Sequence, residues 1–168
     1  MWKGVSSDRG KRPAIAVGKY SARFGLNNAT LGYASFAAGG YNVANGDYSF
    51  TMGENTQSLG KHSCSFGYEV TAEGEGSTGF GKNNQANGSC SFVGGYMNQS
   101  LGNYSTAFGQ NNKTTSSNSF AVGTSNIASG SSAIAVGNNN LVSNQYSFGA
   151  GLANLLVNKQ SFALGSGL

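Results

Sequence analysis

Apolar and polar residues alternate along this chain in short stretches, and the alternation restarts every fourteen residues. All ten Phe stand one or three places before a recurring Gly. Phe36, Phe50, Phe92, Phe120, Phe148 and Phe162 stand three places before it, and Phe24, Phe66, Phe80 and Phe108 one place before it. The coil without Phe has Ile134 and Val136 there instead. If each coil is numbered 1 to 14 and ends on that Gly, eleven coils fit, from residue 12 to residue 165. Residues two apart in a strand share a face. Positions 11 and 13 therefore form one bulky apolar face, and positions 10 and 12 the opposite, small one. Position 10 is Ser in every coil but one, where Ala133 replaces it, and position 3 is usually Asn. A second glycine series, among them Gly32, Gly46 and Gly60, runs seven residues out of phase, with Ser116, Asn144 and Asn158 at its lapses. Asn tolerates left-handed backbone best after glycine, so both series are read as left-handed turns. The pattern predicts an all-β repeat, with two strands and two turns per coil.

Two foldings of the coil compete. If positions 4, 6, 11 and 13 face inward, Lys113 and Glu73 are buried beside Phe, which is costly for unpaired charges. If positions 3, 5, 10 and 12 face inward, the coil is a thin roll filled by Asn, Ser and Ala. Its amides and hydroxyls then stack into ladders from coil to coil. The second folding is adopted here. It leaves Phe24, Phe36, Phe50, Phe66, Phe80, Phe92, Phe108, Phe120, Ile134, Val136, Phe148 and Phe162 outside. A stripe of that size exceeds what a monomer exposes, and each Phe is worth roughly 1.5–3 kcal/mol when buried. Sister chains around a twofold or threefold axis would cover it, making these residues the expected oligomer interface. Where Phe takes one of positions 11 and 13, the other shrinks, as in Gly94 beside Phe92 and Cys64 beside Phe66.

Composition and charge refine this picture. The chain has 168 residues, 27 of them Gly, with only 10% charged. The first 23 residues carry six basic groups and Asp8, and the rest is close to neutral. Residues 1–11 are read as a basic N-terminal cap or docking segment, with Lys3, Arg9, Lys11 and Arg12 as the docking candidates. Residues 12–165 are the repeat domain and 166–168 a tail. A polar cap over the first coil is preferred to docking on nucleic acid or an anionic surface, and no nucleic-acid partner is expected. No apolar run is long enough to span a membrane, and a signal-peptide core is missing from the start. Cys64 is read as core filler and Cys90 as an exposed or interfacial thiol. Two strand spacings, about 9–10 Å, are too wide for a disulfide.

Little here points to catalysis. Glu69, Glu73 and Glu75 lie close in sequence, and paired carboxylates can cleave glycosidic bonds, but no activated nucleophile accompanies them. Position 8 reads Asp47, Lys61, Glu75 in successive coils, an expected ladder of alternating charge. His62 has no ligand-spaced companion. The chain is therefore read as non-enzymatic, without metal or cofactor. The eight Tyr fall only at turn positions 1, 2, 8 and 9. Of these, Tyr41, Tyr48, Tyr68, Tyr96 and Tyr104 are the candidate ligand surface, since Tyr offers an apolar ring and a polar tip. Stacking from coil to coil is the competing role for about half of them.

The coils resemble the head repeat of trimeric autotransporter adhesins, the YadA-like family. The resemblance is carried by Ser132-Ala133-Ile134-Ala135-Val136-Gly137, by Ala14-Ile15-Ala16-Val17-Gly18, and by Asn126-Ile127-Ala128-Ser129-Gly130. The variant Ser119-Phe120-Ala121-Val122-Gly123 looks like the same unit with an aromatic in place of its first bulky residue. The resemblance implies a left-handed parallel β-roll, a β-solenoid of about eleven coils, assembled as a homotrimer. It also implies a surface-adhesion or receptor-binding head, with a host-cell or matrix protein or glycan as partner. The location implied is the cell surface, as an outer-membrane adhesin passenger, or the surface of a virion. Two Cys and Phe in place of Ile or Val depart from the family's pattern. The alternative is a structural fibre component of a virion or phage, a rigid spacer or cap, with a further domain docked at either end.

Overall fold

The structure, a computed structural model, describes residues 5–6 and 17–168. Among these residues every regular element is a β-strand. Each coil contributes a five-residue strand running from position 11 into position 1 of the next coil, such as Phe36–Gly40. It also contributes a two-residue strand at positions 4 and 5, such as Val43–Ala44. The long strands stack in parallel in one sheet, and the ten short strands stack in a second. Gly39 lies opposite Gly53, Gly53 opposite Gly67, and Val43 opposite Gln57. The chain is a parallel β-solenoid of about ten turns, each a fourteen-residue step beyond the last.

The ends follow the same path. Val5–Ser6, inside the segment read as a cap, adds a strand by pairing with Ala22 and Arg23. Ser166 closes the last long strand. The Gly167 N–H then donates to the Leu152 carbonyl (2.9 Å), and the Leu155 N–H donates to that of Leu168 (2.7 Å).

Positions 3, 5, 10 and 12 form the interior. In one turn these are Asn42, Ala44, Ser49 and Thr51, all buried. A polar interior this narrow is stable only if its groups are satisfied, and the Asn column shows how. Asn112 Nδ2 donates to the Phe108 carbonyl in the preceding coil (2.9 Å) and to the Gly123 carbonyl in its own (2.7 Å). Its Oδ1 accepts from the backbone N–H of Asn126 (3.0 Å). The same ladder joins Asn84, Asn98, Asn112, Asn126, Asn140 and Asn154 without a break. The Ser column closes the other turn, as where Ser105 Oγ donates to the Gly102 carbonyl (2.6 Å). Where an aliphatic group enters the roll, a glycine makes room. A Cβ on Gly79 would lie 2.7 Å from Val70 Cγ1, and one on Gly149 2.7 Å from Val142 Cγ2. Substituting Asn112 by Leu strands several buried backbone groups at about 1–3 kcal/mol each. Chemical denaturation should show a loss of about 3 kcal/mol or more, whereas Gln85→Leu, exposed on the outer face of the short-strand sheet with ordinary backbone, should show little change.

The reading of the glycines needs one correction. Only the series at position 14 is left-handed, with φ between 99° and 142°. The left-handed residues of the turns sit two places after each glycine, at positions 2 and 9. Tyr41, Asn55 and Asn83 have φ of 59°, 55° and 56°, and Tyr48, His62 and Cys90 have φ of 56°, 58° and 53°. The second series is glycine because backbones approach too closely for a side chain. A Cβ on Gly46 would lie 1.9 Å from the Gly60 carbonyl oxygen. Ser116 and Asn144, which replace glycine there, accordingly do not have positive φ.

Candidate functional site

With the interior filled by small polar groups, the aromatic side chains have only the outer surface. Every Phe projects from the outer face of the long-strand sheet, half-buried or exposed. The rings lean on their neighbours. Phe36 and Phe50 stack at 4.6 Å, Phe148 and Phe162 at 5.2 Å, and Phe80 touches both Phe92 and Phe108. The exchange of large and small residues works between coils as well as within them. A Cβ on Gly94 would lie 2.4 Å from Phe80 Cζ, so Gly94 is small because the ring of the preceding coil covers it. Ile134 and Val136 lie half-buried on the same face. Cys64 also lies there, at position 11, so it is not core filler; partial burial raises its thiol pKa above the ordinary value.

The tyrosines divide between the two turns. Tyr48 and Tyr104 take position 9, and Tyr41, Tyr68 and Tyr96 take positions 1 and 2 at the opposite end of the long strand. The five candidates are therefore not brought together on one surface. On the first edge Tyr20, Tyr33, Tyr48 and His62 form a continuous ladder, with ring centroids 5.4, 5.4 and 5.1 Å apart. Three of the eight tyrosines thus stack from coil to coil, fewer than the half expected, and His62 joins them. On the second edge Lys82 Nζ lies 5.3 Å from the Tyr68 ring and 6.0 Å from the Tyr96 ring. The Glu69 carboxylate, through a hydrogen bond and its charge, holds the Tyr68 hydroxyl pKa above the usual phenol value. Both edges remain open to solvent.

The charged groups lie otherwise than the spacing suggests. Asp47 Oδ1 accepts from the backbone N–H of Tyr33 in the preceding coil (2.7 Å), instead of pairing with Lys61. Asn103 does the same to Ser89 (2.9 Å). Position 8 is therefore a site of turn capping by Asp or Asn. Glu69 and Glu75 stand at opposite turns, and Glu73 accepts from Asn87 Nδ2 (2.7 Å). Among the described residues no three His, Cys, Asp or Glu side chains gather as metal ligands would. No helix among them is long and apolar enough to cross a membrane. Lys3, Arg9, Lys11 and Arg12 lie outside the described residues.

A family model described as YadA head domain repeat (2 copies) matches residues 72–89, 95–112, 100–126 and 115–140. Within residues 72–140 the chain carries repeats of the YadA head type. No curated protein matches it. The same register runs on either side of the matched residues, with Phe36 opposite Phe50 before them and Phe148 opposite Phe162 after them. YadA-like heads are adhesin-type modules, which suits a surface offering two open edges.

The roll has a further surface that its repeat pattern hid. Outside the short-strand sheet, Gln85, Gln99, Lys113 and Ile127 stand one above another. Together with Asn83 and Met97 on the adjoining turn they line a shallow open trough. The sequence signal was the recurrence of amides at positions 2 and 4. Alone, it reads only as a solvated face.

Proposed function

We propose that the chain is a non-enzymatic head module in which three copies join through their Phe faces and adhere to a host-cell or matrix partner through the exposed turn edges. The observation that supports assembly is the row of Phe side chains left outside a roll too thin to hold them. The sheet that bears them is continuous over the whole stack, so one symmetric contact covers every ring at once. Sedimentation should give the mass of three chains. On this reading residues 1–11 cap the first coil, and residues 12–165 form the rod, held at a cell or virion surface.

Adhesion is assigned to the edge bearing Tyr41, Tyr68 and Tyr96, because its rings are not committed to a continuous stack as Tyr20, Tyr33 and Tyr48 are. Repeated shallow contacts on a multivalent rod supply avidity without a deep pocket. Rods immobilised on a surface should retain host cells or matrix protein. Changing Tyr41, Tyr68 and Tyr96 together to Ser should reduce retention at least about tenfold, the effect of losing aromatic anchor residues, with the melting temperature nearly unchanged. Rods that retain no cell or matrix protein, yet bind a virion or sheath partner, would instead be structural spacers.

A further inference from the structure

The trough on the short-strand sheet faces away from the Phe stripe, since the two sheets are opposite walls of one thin roll. Assembly through the Phe faces therefore leaves it open. One wall is Gln85, Gln99 and Lys113 at position 4; the other is Asn83, Asn111 and Asn139 at position 2. The side chains of Gln85, Gln99, Lys113 and Asn139 have no hydrogen-bond partner within the described chain. The Asn83 Oδ1 atom is out of contact with solvent and also lacks a partner. Only Met97 and Ile127 in the trough are large and apolar, too few for the aromatic or aliphatic anchors a protein partner needs.

Charge sets the class of ligand. All six carboxylates of the chain lie before residue 76, and residues 76–168 contain Lys82, Lys113 and Lys159 with no Asp or Glu. Lys113 projects among amides, between Gln99 and Ile127 of the adjoining coils. Each amide offers both a donor and an acceptor, which suits sugar hydroxyls. The groups recur at the strand spacing of about 4.8 Å along the rod, close to one sugar residue in an extended chain.

We propose that an extended acidic polysaccharide, a polyuronate, lies along this trough with a carboxylate on Lys113 and its hydroxyls on the amide walls. The inference rests on the adhesin reading and names a ligand class for it, in a trough that shares the position 2 turn with the Tyr edge. It is tested on the assembled rod with labelled polygalacturonate followed by fluorescence anisotropy, and with neutral dextran as comparison. Polygalacturonate should bind and dextran should bind at least about tenfold more weakly. Lys113→Gln should weaken polygalacturonate about tenfold, the value of one charge-assisted contact. Lys159→Gln removes the same charge at position 8, an exposed turn away from the trough, and should change affinity less than about twofold. Equal loss from Lys113→Gln and Lys159→Gln, or equal binding of dextran, would overturn the proposal. Rods that adhere to matrix protein yet ignore polygalacturonate would overturn it while leaving the adhesin reading intact. Rods that bind polygalacturonate through Lys113 but retain no cells would uphold it and count against that reading.

Discussion

Phe50→Ser and Phe120→Ser are expected to release the assembled rods into single chains at micromolar concentration, with the coil itself still folded. Both rings lie outside the roll, so a hydroxyl in their place meets solvent or a neighbouring chain and leaves the Asn and Ser ladders untouched. A threefold contact loses the same ring from every copy. At roughly 1.5–3 kcal/mol for each buried Phe, one substitution removes about 4.5–9 kcal/mol from a trimer, enough to shift dissociation by several orders of magnitude. Phe50 carries an added effect, because it stacks on Phe36 and touches Phe66, and its loss interrupts the stripe for three coils. Gln85→Ala, on the opposite sheet, should leave the mass in light scattering unchanged. Equal dissociation by Gln85→Ala and Phe50→Ser would mean that the Phe stripe is not the contact.

Gly123→Ala should be the most damaging single methyl in the rod. Gly123 has φ of 118°, a backbone that side chains rarely adopt, and a Cβ there would lie 2.0 Å from the Gly137 carbonyl oxygen. The methyl would also meet Asn126 Nδ2 at 3.1 Å. That amide donates to the Gly137 carbonyl (2.7 Å), so the shift that relieves the clash breaks the ladder. Strain, overlap and a lost buried hydrogen bond act together, and a loss of about 4 kcal/mol or more is expected. The measurement is the midpoint of urea unfolding. Gly102→Ser supplies the contrast. Its Cβ would also come close to a carbonyl, that of Ser116 at 2.0 Å, yet Ser116 and Asn144 occupy the same position of their own coils. Position 7 can therefore accept a Cβ by a local shift of backbone, and Gly102→Ser should cost clearly less. If the two variants unfold at the same midpoint, the separate roles of the two glycine series are wrong.

The difference between those series shows where sequence reasoning ends. The period, the strands and the inward and outward faces follow from the chain alone. A strand has only two faces, and Lys113 and Glu73 cannot share the buried one with Phe. The polar core was legible for the same reason, since Asn and Ser at fixed positions have nowhere to bond but their counterparts one coil away. Position 7 was different. Glycine signals either positive φ or close approach, and a one-dimensional pattern does not separate them; the neighbouring carbonyl that decides belongs to a residue fourteen places on. Cys64 is a different case: its position 11 already places it among the Phe side chains, so the pattern itself argued against core filler.

The surfaces show the limit more sharply. Positions 2, 8 and 9 were recognisable as turns, but position 1, where Tyr68 and Tyr96 stand, closes the long strand instead. Only the folded coil shows that positions 1 and 2 lie at one end of the long strand and 8 and 9 at the other, which separates Tyr48 and Tyr104 from Tyr41, Tyr68 and Tyr96. Asp47 follows the same logic. A charged neighbour at position 8 suggests an ion pair, but the backbone N–H of Tyr33 is nearer and needs an acceptor. Periodicity determines what each residue faces within its own coil, because strand geometry repeats every two residues. The stacking of one coil on the next decides which side chains meet, because contact depends on distances that the repeat itself does not contain.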